Sequence, residues 1–189
     1  MTIASGGGED GPVEWVLGPR REPAVLTLVS EMTVAGITAR EITDFMLECD
    51  DARYQAWWPG THRSFHVVEP GPGPGHVGDR VWMDELVGDR HLRMAAEVEA
   101  ARPGDRIVWR LLPWRLRVPV RLTLAVADCD DGVRVRHALT AGWVGWRRVL
   151  DPLWRLYFTR SFAVALDRHA RTEFPRLAPL LHPGEGRTR

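Results

Sequence analysis

The side chains able to do acid–base or binding chemistry are few, and the rows they stand in limit what each can do. His137 falls on the row Val133, Val135, His137, Leu139, Ala141, Trp143, which alternates with Arg134, Arg136, Ala138 and Thr140. That is the period of a strand with one face buried. An imidazole in such a row must find a hydrogen-bond partner or carry the cost of an unpaired buried polar group. Two readings stand: a core histidine bonded to a neighbouring strand, or a polar handle in an apolar cavity. As a handle it would orient a carbonyl or exchange a proton near neutral pH. His169 raises the same question on the apolar side of a C-terminal helix. His62 and His66 share one strand face, but the sequence offers them no convincing third ligand, so no metal is expected.

Other signals weaken on inspection. Gly73-Pro74-Gly75-His76-Val77-Gly78 matches the spacing of a dinucleotide-binding loop. That loop needs a strand before it and a helix N-terminus after it; here prolines stiffen the segment and a strand follows, so a hairpin loop is expected. Asp128, Asp130 and Asp131 before Gly132 lack the length and terminal Glu of a calcium loop and read as a turn. The four serines (Ser5, Ser30, Ser64, Ser161) include none in a nucleophile elbow.

These residues need elements to position them. Residues 1–22, with Gly6-Gly7-Gly8, read as a flexible arm, and residues 179–189 as a flexible tail; 23–178 form the domain. Val25–Val34 reads as a strand. Thr38 and Glu41 make a capping box flanked by the staple pair Ile37 and Ile42, opening a helix with the stripe Ile42, Phe45, Met46, Cys49. A second helix from Asp51 to Trp57 stops at Pro59-Gly60. Turn signals then divide strands near 63–69, 79–87, 91–100, 106–112, 119–128 and 133–143. A helical region from about 147 to 174 carries Phe158, Phe162, Ala165, Leu166 and His169 on one stripe.

Composition bounds the classes. The 189 residues suit one domain, and 44% hydrophobic with 26% charged residues excludes a disordered or fibrous chain. No run approaches the roughly 18 apolar residues of a membrane span, and no secretion signal is visible, so a cytoplasmic protein is expected. Two cysteines exclude a disulfide framework. Net charge is zero, but residues 96–189 hold 17 Arg against 10 acidic residues. Arg115, Arg117 and Arg121, like Arg134 and Arg136, alternate with apolar residues and read as the wet face of a sheet, and no nucleic-acid partner is expected.

The order of elements resembles the START-like superfamily (Bet v 1-like or SRPBCC, the helix-grip fold), in its polyketide cyclase/dehydrase-like branch. The resemblance rests on Trp57-Trp58-Pro59-Gly60, Val77-Gly78-Asp79-Arg80, Pro103 to Trp109 and Asp131 to Val135, and spans about residues 24 to 178. It implies an α+β fold: a curved seven-stranded antiparallel sheet, two short helices, and a long C-terminal helix that together enclose a cavity. It implies a bound small hydrophobic or aromatic molecule, and an aldol-type cyclisation or dehydration as one possible activity.

Under that reading His137 is the proton shuttle, assisted by His66 or Tyr157. Trp57, Trp58, Met94, Trp109, Leu122, Leu124, Trp143, Trp154, Phe158 and Phe162 line the cavity. Nine tryptophans suit a space for flat or greasy ligands, although core filling accounts for many of them. The alternatives are a non-catalytic carrier of a lipid, quinone or hydrophobic metabolite, and an interaction module that docks an acidic partner on its basic half. No cofactor is expected, and a homodimer is open.

Overall fold

The computed structural model describes residues 26–112, 118–143 and 145–184. The expected arm at 1–22 lies outside them, as do Arg115 and Arg117 of the expected wet face.

Seven strands form one antiparallel sheet: β1 (Leu26–Val34), β2 (His62–Glu69), β3 (Arg80–Val87), β4 (Arg90–Arg102), β5 (Arg106–Leu112), β6 (Val120–Cys129) and β7 (Gly132–Ala141). Their spatial order is β1-β7-β6-β5-β4-β3-β2. β2 to β7 thus run as a meander, and β1 pairs with the last strand. The chain crosses from one sheet edge to the other through α1 (Ala39–Leu47) and α2 (Asp51–Trp57). Register shifts in the β2–β3 and β4–β5 pairs mark bulges, which bend a sheet and increase its twist.

Local chemistry explains where these elements begin. Thr38 Oγ1 accepts from the Glu41 N–H at 3.2 Å, and the Glu41 carboxylate accepts from the Thr38 N–H at 2.8 Å. The capping box is therefore complete, and both staple residues, Ile37 and Ile42, are buried. Asp128 on β6 reaches across to accept from the Ala39 N–H at 2.7 Å, so this acidic turn holds a helix terminus. At Gly132 (φ 129°) a Cβ would stand 2.2 Å from the Val34 carbonyl oxygen, so the β6–β7 turn needs a glycine to pass β1. The glycine-rich segment 73–78 is the loop between β2 and β3, with β3 directly after it.

The C-terminal region is not one helix. A 3₁₀ turn (Gly145–Leu150) leads into α3 (Asp151–Tyr157), and the chain restarts as α4 (Arg160–Glu173) after Phe158 leaves helical geometry. Thr159 causes the restart, its hydroxyl accepting from the Phe162 N–H at 3.3 Å. α4 packs against β1 on one side of the sheet and β3 on the other, burying Phe162, Ala163, Leu166, His169 and Ala170. A last helix, α5 (Leu177–Leu181), crosses the boundary expected at residue 178, and Leu180 and Leu181 pack on the core.

The wet face is as its alternation implies. Arg110 and Arg121 both engage Glu99, and Arg136 pairs with Glu31 at 3.0 Å. The Thr38→Ala substitution removes both hydroxyl bonds to Glu41, one accepted from its N–H and one donated to its carboxylate, and is expected to lower stability by about 1 kcal/mol. The check is an earlier urea midpoint with an unchanged denaturant slope.

Candidate functional site

Between the sheet's concave face and α4 lies a cavity of about 800 Å³. Strand register builds its walls. Leu124 stands opposite both Ile107 and His137, and Leu122 stands opposite Trp109 and Leu139, so these side chains share one face. Of the predicted ligand-binding residues, Trp57, Met94, Trp109, Leu122, Leu124, Trp154, Phe158 and Phe162 line the cavity. Trp58 and Trp143 do not. Trp58 lies under the Arg176 guanidinium and against His169, while Trp143 stacks on Trp154.

The three predicted proton carriers separate in the same way. His137 lines the cavity, and its Nδ1 is buried without a hydrogen-bond partner. Tyr157 lines it too, but more than half exposed, which places it at the rim. His66 does not: its Nδ1 meets Asp51 Oδ1 at 2.8 Å on an exposed stretch of β2. Arg93 is also at the rim, 3.3 Å from Asp84, whereas Arg80 is held by Glu69 outside the cavity.

The floor of the cavity holds a polar cluster beyond the predicted set. Tyr54 on α2, Glu85 on β3, and His169 and Glu173 on α4 all line it, with His62 of β2 buried behind them. The Tyr54 hydroxyl donates to Glu85 Oε2 at 2.5 Å. His62 Nδ1 faces the Tyr54 carbonyl at 3.3 Å, and its Nε2 lies 3.2 Å from Glu173 Oε2. His169 Nε2 is 3.1 Å from Glu173 Oε2 and 3.7 Å from Glu85 Oε2, yet its N–H direction makes a hydrogen bond with neither. The Trp57 indole donates to the Glu173 carbonyl at 2.7 Å, fixing the end of α4.

Position in the sequence carried a sign of these residues. Glu85 interrupts the inward row Val81, Met83, Val87, as His137 interrupts its own, and Glu173 follows His169 by four on the buried stripe of α4. What no row could reveal is that three elements bring them to one point.

Charge follows from this packing. Burial alone would lower the His169 pKa, but the carboxylates of Glu173 and Glu85 outweigh it and raise it to about 10. Burial alone would raise that of Glu173, but His169 and His62 hold it well below 4.5. Burial lowers the His137 pKa against the pull of Glu173 and Glu85, and His169 adds to the lowering, so His137 is neutral near pH 7. Burial, then the Glu85 and Glu173 charges, push the Tyr54 phenol well above 10 and keep its proton in place. The four atoms His62 Nε2, Glu85 Oε2, His169 Nε2 and Glu173 Oε2 lie within 4.8 Å of one another, a donor set able to meet a cation.

No protein-family model matches the sequence, and no curated protein matches it. Solved structures do. Protein MLL2253 from Mesorhizobium loti is 15% identical, covering 84% of this chain and 98% of its own, with a TM-score of 0.51. Major latex-like protein 151 from Panax ginseng is 12% identical, covering 80% and 99%, at 0.50. The Aha1 dimer from Colwellia psychrerythraea is 13% identical, covering 85% and 99%, also at 0.50. The chain has a helix-grip fold. At these identities the likeness is one of fold. Among the described residues of this helix-grip domain, no helix is long and apolar enough to cross a membrane.

The shifts predict a pH optimum of stability. Glu173 contributes above its unfolded value of 4.5 and loses that contribution as the pH falls below it. His169 contributes fully below 6.5 and loses it as the pH rises toward 10. His137, lowered on folding, disfavours the folded state as the pH falls below 6.5. For chelator-treated protein, stability measured by urea unfolding is expected to peak near pH 6.5 and decline on both sides. In Glu173→Gln the alkaline decline should shrink, because His169 loses its nearer carboxylate.

Proposed function

We propose that the protein holds one small, largely apolar molecule in the cavity, its polar end directed at His137. The observation that carries this is a roomy apolar cavity bordered by two buried polar atoms without partners, His137 Nδ1 and Trp154 Nε1. Each such atom costs about 1–3 kcal/mol if left unpaired, and a carbonyl or hydroxyl on the ligand would satisfy it. The volume falls within the 300–1,000 Å³ typical of small-molecule sites. The aromatic walls suit a flat or acyl ligand.

The finer reading is a polyketide cyclase/dehydratase-like activity. Neutral His137 would take a proton from a carbon next to a carbonyl, and the enolate would attack a second carbonyl of the same chain. The proton would return to the new alkoxide, giving a β-hydroxy carbonyl. Dehydration would then remove a second proton from the same α-carbon to His137, with the hydroxyl group taking that proton as it leaves as water and a C=C bond forming. The walls would hold the chain in the reactive fold. Tyr157 at the rim would meet the ligand's outer end. A carrier of a lipid, quinone or hydrophobic metabolite is the second reading, favoured by the preponderance of apolar lining side chains. Docking of an acidic partner has less support, since Arg110, Arg121 and Arg136 are already engaged by Glu99 and Glu31.

Native mass spectrometry of the purified protein, followed by solvent extraction, tests the binding claim. A stoichiometric apolar passenger is expected, and Leu122→Trp, which fills the cavity, should remove it. A clean apo mass with no uptake from a panel of aromatic and acyl compounds would overturn the claim. His137→Ala separates the two readings. A cyclase would lose roughly 10²- to 10⁴-fold in turnover while still binding, whereas a carrier would keep its affinity within severalfold and show no turnover in either form.

A further inference from the structure

The cluster beneath the cavity has one more ligand geometry than an ion pair needs, and we propose that it binds a divalent transition-metal ion. Its ligands are His62 Nε2, His169 Nε2 and Glu173 Oε2, with Glu85 Oε2 as the fourth, on the cavity side. The cavity's organic ligand plays no part in this proposal, which stands on the protein's own donors.

Geometry comes first. Tetrahedral zinc with bonds of about 2.0–2.2 Å has ligand–ligand edges of about 3.3–3.6 Å. Here His62 to Glu173 is 3.2 Å, His169 to Glu173 is 3.1 Å and His169 to Glu85 is 3.7 Å. The three remaining pairs lie within 4.8 Å, so side-chain rotation would have to draw the four atoms together to complete a shell. His169 and Glu173 are spaced i, i+4, so one helix face delivers both.

The surroundings are those of a metal site. His62 presents Nδ1 to the Tyr54 carbonyl, and in the tautomer that donates there its Nε2 lone pair faces the cluster. The Tyr54 hydroxyl donates to Glu85, orienting that carboxylate as well. Trp57 and Trp58 pack edge-on against His62, and Trp58 also covers His169, a hydrophobic shell around the donors. His169, only 6% exposed, holds Nε2 close to both carboxylates without hydrogen-bond geometry to either, so it is ion-paired there but not locked by a directed bond.

Charge makes the same point. Two carboxylates and two neutral imidazoles around a dication leave no net buried charge. Two nitrogens and two oxygens favour the zinc class of ions over magnesium or calcium, which take oxygen-rich shells.

The test uses tag-free protein stripped with a chelator and titrated with Zn²⁺ against a chromogenic competitor, then with Co²⁺ to read coordination from the visible bands. One equivalent of Zn²⁺ and the intense bands of tetrahedral Co²⁺ are expected. Glu173→Gln should abolish uptake. Tyr54→Phe, which keeps the aromatic packing and removes only the bond to Glu85, should weaken affinity about 10- to 100-fold with an unchanged circular-dichroism spectrum. It also covers the case in which Glu173→Gln does not fold. No uptake by the native chain would overturn the proposal. Equal uptake by the native chain and the folded variants would also overturn it, since surface histidines such as His66 or His91 would then hold the metal.

Discussion

A buried carboxylate is the constraint that the rest of this fold answers. Glu173 ends α4 in the interior, where an unpaired charge would cost several kcal/mol. Its compensation comes from His62 on β2 and His169 on its own helix. Trp57 of α2 holds the adjacent backbone carbonyl. Helix, sheet edge and connecting helix are thereby tied at one point. Apolar packing alone would tolerate some sliding of α4 along the sheet. Pairing at about 3 Å does not, because a shift of one ångström would leave a buried charge without its partner.

That anchor also explains why the space beside it stays open. α4 touches the sheet near both edges, on β1 and β3, and the cavity lies between it and the strands in the middle. Side chains of ordinary size, such as Leu122, Leu124 and Met94, do not bridge the gap. Unfilled apolar volume weakens a core, since the atoms lining it lose dispersion partners. An occupant would restore those contacts and stabilise the fold in proportion to its affinity. A binding role therefore accounts for a feature that is a structural cost when empty.

Much of this was legible in the residues. Alternation located the strands because each has one wet and one buried face, and the Thr38–Glu41 box marked a helix start to the residue. His137 stood out because a polar residue in an apolar row has few explanations. The break at Phe158–Thr159 was hidden because the apolar stripe continues through it, while Thr159 acts as a cap only once the chain bends there. Trp58 and Trp143 were misplaced for a related reason: both are only partly buried, and a tryptophan's type does not say which side of a turn it packs on. The cluster of His62, Glu85, His169 and Glu173 was invisible as a group, since its members are up to 111 residues apart. Convergence of that kind is a property of topology.

The central claim is that the cavity accepts a ligand whose polar end meets His137. A crystal structure of the protein grown with a flat aryl ketone tests it most directly. The account predicts the ring between Trp109 and Phe162, and the ketone oxygen within about 3.2 Å of an imidazole nitrogen of His137. A cavity closed by collapsed side chains, or a ketone bound only on the outer surface, would contradict it.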